Sequence, residues 1–289
     1  MAMRSQAAAL KALLDGPGLQ VMPGCGDGIG ARLIEEAGFR TGFVSGSSVS
    51  AMRLAMPDMD LLSFPEMADA VEACIAAAPK VLWLADGDTG HGNALAVQKT
   101  IGAYARRGAA AVLIEDKAWP RPLGHSGAKL VVERQAAILR CRAAAEACRE
   151  EGILLLARTD ARPSRGFDEA MARLKAFVAE GADILFLDSP QSEAEMRETV
   201  AACDGKPALA VTSPAGKHFM PDDAELQRIG IKLVVYPQAM LAATVYAARA
   251  ALGWLKGGDK PAMASPAELA TAIRLSDYLA QDSRWPDPA

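Results

Sequence analysis

Aromatic side chains are scarce: Phe, Trp and Tyr make up 5% of the 289 residues, which leaves little for stacking platforms that bind bases or sugars. Lys and Arg form no block and the net charge is −4, so the clustered positive charge that neutralises phosphates is missing and nucleic acid is not an expected partner. The three histidines, His91, His125 and His218, have no partner at i+3 or i+4 suited to zinc. No G-x-S-x-G or comparable nucleophile signature occurs. The five cysteines (Cys25, Cys74, Cys141, Cys148, Cys203) are odd in number and lack C-x-x-C spacing, as expected of reduced thiols in a cytoplasmic protein. The N-terminal stretch carries Arg4 and Lys11 within an amphipathic pattern, unlike a secretory signal. A long apolar run, Leu233 to Leu255, contains only Arg249 as a charge. A strand at Lys232–Tyr236 and a helix starting at Pro237-Gln238 split it into a strand and a buried helix, so no membrane span is expected.

An apolar content of 51% excludes disorder and suffices for a large core. Short apolar runs recur at Leu19–Met22, Gly42–Ser45, Val81–Ala85, Ala111–Ile114, Ile153–Ala157, Ile184–Leu187, Ala208–Val211 and Lys232–Tyr236. They are continuous rather than alternating, as in strands covered on both faces. Helical patterns lie between them, including Glu66–Ala78, Val131–Glu150 and Glu193–Cys203, and Ser63/Glu66 and Ser192/Glu195 read as capping boxes. Eight strand–helix units predict an α/β fold, a (β/α)₈ TIM barrel over residues 1–256. Lys256–Pro261 breaks the pattern, and residues 257–289 form a C-terminal helical appendage begun by a cap at Ser265. It packs on a neighbouring subunit or folds back on its own barrel.

In such barrels the chemistry sits just past the C-terminal strand ends. Those positions hold Ser45-Gly46-Ser47-Ser48, Asp86 and Asp88, Glu115-Asp116-Lys117, Arg158-Thr159-Asp160, Asp188 and Tyr236. Asp86 and Asp88, two apart on an extended chain, project to one side and repel each other unless a cation or proton lies between them. Oxygen donors favour Mg²⁺ or Mn²⁺ over zinc, and Glu115 and Asp188 are placed to hold the waters such an ion keeps. Arg158 offers a planar fork for a carboxylate. The alternative is that these acids cap helices or pair with basic residues on the rim. Gly26-Asp-Gly-Ile-Gly-Ala31 fits a dinucleotide fingerprint, but Ser45-Gly46-Ser47 stands where an acid should hold the ribose. Lys117–Lys129 is a long Pro/Gly-rich loop with the character of a lid; it carries His125, with Trp119 as an anchor.

Together, Pro23-Gly24…Asp27…Ala31-Arg32, Ser45-Gly46-Ser47, Pro57-Asp58, Asp86-Gly-Asp-Thr-Gly-His-Gly-Asn93, Ile114-Glu115-Asp116-Lys117, Ala157-Arg158-Thr159-Asp160-Ala161 and Tyr236-Pro237 make the chain resemble the isocitrate lyase/phosphoenolpyruvate mutase superfamily along almost its whole length. The resemblance implies a (β/α)₈ barrel with C-terminal helices swapped between subunits of a homodimer or homotetramer. It also implies a Mg²⁺ ion that binds an α-oxo or α-hydroxy carboxylate and stabilises an enolate-like intermediate. Asp86 would ligate the metal directly, with Asp58, Asp88 and Glu115 acting through water. Ser45, Gly46 and Ser47 would offer amides to the substrate, and Arg158 would hold a carboxylate. Arg158, Glu115, Tyr236 and His125 are then the candidate catalytic residues.

Departures narrow the reaction. Lyases of the superfamily carry a Cys in a K-[KR]-C-G-H lid, whereas this chain reads Pro120-Arg-Pro-Leu123-Gly-His125, and Leu123 transfers no proton. The Asn-rich lid of phosphonomutases is missing too. Asp188 replaces the usual Glu, and Val211-Thr212-Ser213 replaces an Asn-x-x-Glu pattern. These changes look more like the oxaloacetate decarboxylases, although Tyr236-Pro237-Gln238 keeps a Tyr that they change to His. The expected activity is Mg²⁺-dependent carbon–carbon cleavage of a small carboxylate, foremost decarboxylation of oxaloacetate to pyruvate. Methylisocitrate- or dimethylmalate-type cleavage and phosphonopyruvate-type chemistry come next. A nicotinamide-dependent oxidoreductase and a non-catalytic dicarboxylate sensor are the readings from other classes.

Overall fold

The computed structural model describes residues 4–120, 130–212, 219 and 221–285. In chain order the elements are α1 (Ser5–Asp15), β1 (Gln20–Cys25), α2 (Gly28–Glu36), β2 (Thr41–Val44), α3 (Gly46–Val49) running into a π-turn, α4 (Phe64–Ala77), β3 (Leu82–Asp86), α5 (Ala94–Arg106), β4 (Ala111–Glu115), α6 (Arg134–Glu151), β5 (Leu154–Thr159), α7 (Ala161–Arg165), α8 (Phe167–Glu180), β6 (Ile184–Leu187), α9 (Glu193–Ala202), β7 (Ala208–Val211), α10 (Asp223–Ile229), β8 (Leu233–Tyr236), α11 (Ala239–Leu255), α12 (Pro266–Ala272) and α13 (Leu275–Asp282).

Each strand pairs in parallel with the next, and β8 returns to β1 with Val21 opposite Val234, which closes the expected eight-stranded barrel. The continuous apolar runs are explained by burial on both faces: Met22, Leu84, Leu154, Leu155, Phe186 and Val234 are all essentially inaccessible. Each such side chain contributes about 1.5–3 kcal/mol when fully buried. Helix α1 covers the end of the barrel where the strands begin. Leu10 is buried there, Arg4 donates its backbone amide to Gly152 before β5, and Lys232 before β8 reaches Gly16 O.

Three expectations shift. Helix α6 starts at Arg134 rather than Val131, because Val131 bridges Lys117 and the Val132 amide bonds Asp116 O at 3.0 Å. These bonds join the chain on either side of residues 121–129. At Ser192 the cap is only half a box: its hydroxyl accepts from Glu195 N, but the Glu195 carboxylate turns to Gln191 N and Arg162. Helix α11 is not buried. None of its residues is, and Tyr246, Leu252 and Leu255 are 80%, 59% and 69% exposed. Its apolar face therefore has no cover within the described chain. Helices α12 and α13 likewise bury no residue, and Arg274 between them pairs with Glu35 of α2. Among the described residues no helix is long and apolar enough to cross a membrane.

Candidate active site

At the carboxyl ends of the strands a cavity of about 280 Å³ opens, with Ser45, Ser47, Asp58, Asp86, Arg158 and Asp188 among its polar lining. Asp86 ends β3 and Asp88 follows in a turn. Their convergence does not come from an extended backbone: Asp88 has φ 49°, a left-handed conformation that Asp tolerates better than most residues. The Asp88 amide donates to Asp86 Oδ1 at 3.2 Å, and the Asp88 carbonyl receives Glu115 N at 2.8 Å, fixing the turn to β4. Asp86 Oδ2 accepts the Gly46 amide at 3.1 Å.

Both carboxylates close on the α-carbon of Gly46. A side chain there would place its Cβ 3.0 Å from Asp86 Oδ2 and 3.7 Å from Asp88 Oδ2. Burial is the main reason that the Asp86 and Asp88 pKa values stand above the normal range. Asp58 adds repulsion at Asp86, and Asp86 and Glu115 do so at Asp88. This is the charge imbalance a divalent cation would relieve. Among the described residues no three His, Cys, Asp or Glu side chains form a ready ligand cluster. An all-oxygen site with few direct protein ligands suits Mg²⁺, which keeps several waters. Asp86 and Asp88 therefore fit such an ion, with Asp58 and Glu115 at its periphery.

Across the cavity, Arg158 on β5 is held from three sides. Asp160 takes Nε at 2.8 Å and Nη2 at 2.7 Å, Asp188 takes Nη2 at 3.1 Å, and Glu115 Oε2 lies 3.2 Å from Nε. The guanidinium also lies 5.0 Å above the Phe186 ring. Glu115 is 5% exposed and bridges Arg158 to Lys117, whose Nζ is 3.0 Å from Glu115 Oε1 and 2.9 Å from Asp60. Burial works against the Lys117 ammonium, but Glu115, Asp88 and Asp60 hold its pKa above the usual lysine value. Asp116 is spent on the scaffold. It receives Thr159 Oγ1, the Asp160 amide and Arg173, tying β4 to β5 and α8.

The serine run follows β2, with Ser45 capping α3 and Ser47 and Ser48 in it. Ser45 and Ser47 hydroxyls are 3.0 Å apart, and Gln238 Nε2 reaches Ser47 Oγ at 3.3 Å. The Ser45 amide is bonded to Cys25 O and the Gly46 amide to Asp86, so hydroxyls, with the Ser47 amide in the first turn of α3, are what this run presents to a ligand. Tyr236, expected among the catalytic groups, donates its hydroxyl to Asp223 at 2.7 Å. Burial and that bond push its pKa up to about 12, which makes it a poor acid at neutral pH. His125 and Leu123 lie outside the described residues. Sequence reasoning missed the clamp by Asp160 and the Lys117–Asp60 pair, although Arg158/Asp160 and Glu115/Lys117 share the i, i+2 spacing that singled out Asp86 and Asp88.

The glycines of the dinucleotide-like stretch serve packing. A Cβ on Gly26 would fall 2.7 Å from the Ser48 backbone, and the Asp27 side chain caps α2 through Gly30 N. No open turn is left for a pyrophosphate, and the closed barrel lacks the crevice of a doubly wound sheet.

Comparison with known proteins agrees with this geometry. The oxaloacetate decarboxylase of Paraburkholderia xenovorans is 37% identical over 210 residues, 73% of this chain and 70% of that protein. A solved structure of oxaloacetate acetylhydrolase with 3,3-difluorooxalacetate superimposes with a TM-score of 0.91 at 31% identity, covering 96% of both chains. Phosphonopyruvate hydrolase, solved with oxalate and Mg²⁺, gives 0.85 at 26% identity over 98% of this chain and 99% of that one. The three carry different activities, so likeness alone does not choose the reaction. Residues 10–255 match the family described as phosphoenolpyruvate phosphomutase, and the chain accordingly belongs to that family and to the wider superfamily of isocitrate lyase-type enzymes.

Proposed function

We propose that this enzyme is a Mg²⁺-dependent carbon–carbon lyase that decarboxylates oxaloacetate, or a close 2-oxo dicarboxylate, to the corresponding 2-oxo acid. The observation that carries the reading is the composition of the cavity. Asp86, with Asp88 beside it, shares this cavity with a clamped Arg158, and no cysteine or histidine is among the cavity's described lining residues. All five cysteines are buried, and none is among its described lining residues. A retro-aldol cleavage of a hydroxy acid needs a base for the hydroxyl and an acid for the departing carbanion. Decarboxylation needs neither at the bond-breaking step.

A bound Mg²⁺ would supply Lewis acidity at the 2-oxo group. Arg158 anchors a substrate carboxylate, its orientation locked by Asp160 and Asp188. The Ser45 and Ser47 hydroxyls donate to oxygens that gain negative charge as the C3–C4 bond breaks. Carbon dioxide leaves, the electron pair moves into the enolate of pyruvate, and a proton from water completes C3, since Tyr236 is committed to Asp223.

The test is purified protein with oxaloacetate and Mg²⁺, scored for pyruvate and carbon dioxide against oxalate and acetate. Pyruvate above the metal-only background is expected. Oxalate and acetate would assign hydrolysis instead, and no turnover would reject the reading. The assembly proposed with it is a homo-oligomer in which α11 to α13 cover apolar surface on a partner copy, as the exposed Tyr246, Leu252 and Leu255 suggest.

A further inference from the structure

Asp58 lines the cavity with Asp86, yet it stands on neither a strand nor a helix: residues 55–63 join the π-turn after α3 to α4 without regular structure. A carboxylate on such a segment keeps its place only if side chains pin the backbone around it. Two pins are visible. On one side the buried Ser50 hydroxyl lies 3.1 Å from Met56 O and 3.2 Å from Pro57 O, within donating reach of either. On the other side Asp60 Oδ1 takes the Lys117 ammonium at 2.9 Å. Both side chains of that pair are sheltered, 6% exposed at Asp60 and 15% at Lys117. Asp60 holds φ 62°, a left-handed conformation that Asp tolerates better than most residues. Lys117 is itself rooted in the scaffold. Its backbone bridges Val131, and its carbonyl accepts Arg140 Nη1 at 2.9 Å. The same ammonium lies 3.0 Å from Glu115 Oε1, while Glu115 Oε2 lies 3.2 Å from Arg158 Nε. One cation therefore joins the segment that carries Asp58 to the carboxylate that ends β4.

We infer that Lys117 is a positioning residue of the cation site: through Asp60 it holds the 55–63 segment so that Asp58 stays in the cavity, and through Glu115 it fixes a second carboxylate of the same set. The inference rests on the lyase reading for what the site turns over, while the tether is tested on metal binding and on the segment itself. Charge alone predicts the opposite sign. An ammonium repels a divalent cation, so a Lys117 that did nothing but carry charge would, on removal, leave a tighter site. A Lys117 that positions the acids leaves a weaker one.

The experiment titrates Mn²⁺ into the wild type, Lys117→Met and Lys117→Arg, followed by electron paramagnetic resonance. Affinity should fall about 10- to 100-fold in Lys117→Met, the usual cost of removing a group that orients metal ligands, and recover in part in Lys117→Arg. In an Asp58→Asn background the same Lys117→Met change should cost less, because part of what it acts through is already gone. With Mg²⁺ and oxaloacetate, the metal concentration for half-maximal rate should rise while kcat at saturating Mg²⁺ changes little. Asp60→Asn tolerates the left-handed backbone and breaks the ion pair, so it decides the matter where Lys117→Met does not fold. In that variant chymotrypsin should cut the metal-free protein at the exposed Met59 and Leu61 several-fold faster than it cuts the wild type. Unchanged or tighter Mn²⁺ binding in a folded Lys117→Met, or unchanged cleavage in Asp60→Asn, overturns the inference. Wild-type protein that makes no pyruvate rejects the lyase reading, and the Mn²⁺ affinities and the cleavage rates then decide the inference alone.

Discussion

The guanidinium of Arg158 and the carboxylate of Asp160 form a two-point fork, with Nε 2.8 Å from Oδ2 and Nη2 2.7 Å from Oδ1. Such pairs fix the plane of the guanidinium as well as its position. Asp160 does not line the cavity, so it acts through Arg158 as a positioning residue. Asp160→Asn keeps the shape but loses the charge and one acceptor. We expect kcat/KM to fall about 10- to 100-fold, mostly through KM, with partial recovery in Asp160→Glu. Steady-state kinetics of the two variants check this, and equal losses in both would place Asp160 outside the positioning of Arg158.

Gly46 is a second point where one atom decides. A methyl group there would sit 3.0 Å from Asp86 Oδ2, in the space on which both carboxylates converge. Gly46→Ala should preserve the circular dichroism spectrum yet weaken binding of Mn²⁺, used as a spectroscopic stand-in for Mg²⁺, by tenfold or more. An unchanged Mn²⁺ titration by electron paramagnetic resonance would move the cation away from Asp86 and Asp88.

His91 predicts how stability depends on pH. Thr100 spends its hydroxyl proton on Gly90 O at 3.2 Å, so it accepts from His91 Nδ1–H, and Nε2 is left buried. Burial lowers the His91 pKa from 6.5 to about 4. Between those values the unfolded chain takes up a proton that the folded chain does not, so stability falls as the pH drops from about 6.5 to 4. The loss amounts to at most about 3 kcal/mol. His91→Phe should flatten that part of the melting-temperature profile; an equally steep profile would assign the slope to other groups.

The barrel was legible because each strand is covered on both faces and so reads as an unbroken apolar run. Arg158, Asp86 and Asp88 were legible because they follow such runs. Asp160 was harder, since a carboxylate that holds an arginine looks the same in sequence as one that caps a helix. The start of α6 was misplaced because Val131 and Val132 continue its apolar pattern while their backbone pairs with Asp116 and Lys117. Helix α11 was misread for a related reason. Apolarity reports that a face must be covered, and it does not say by which chain.

That last ambiguity is open to measurement. Helix α11 is 17 residues long, buries none of them, and presents Tyr246, Leu252 and Leu255 to solvent. Contiguous apolar patches of this kind mark interaction surfaces. A second copy offers the same helix, so a reciprocal contact or exchange covers both exposed faces in a closed, symmetric assembly. Light scattering should therefore return a multiple of the 30.3 kDa chain mass. Leu252→Glu combined with Leu255→Glu would place two charges against the apolar contact. We expect that variant to shift toward the monomer and to melt at lower temperature, because the apolar face of α11 then loses its cover. A wild-type protein that stays at 30.3 kDa at micromolar concentration would rule out the exchange.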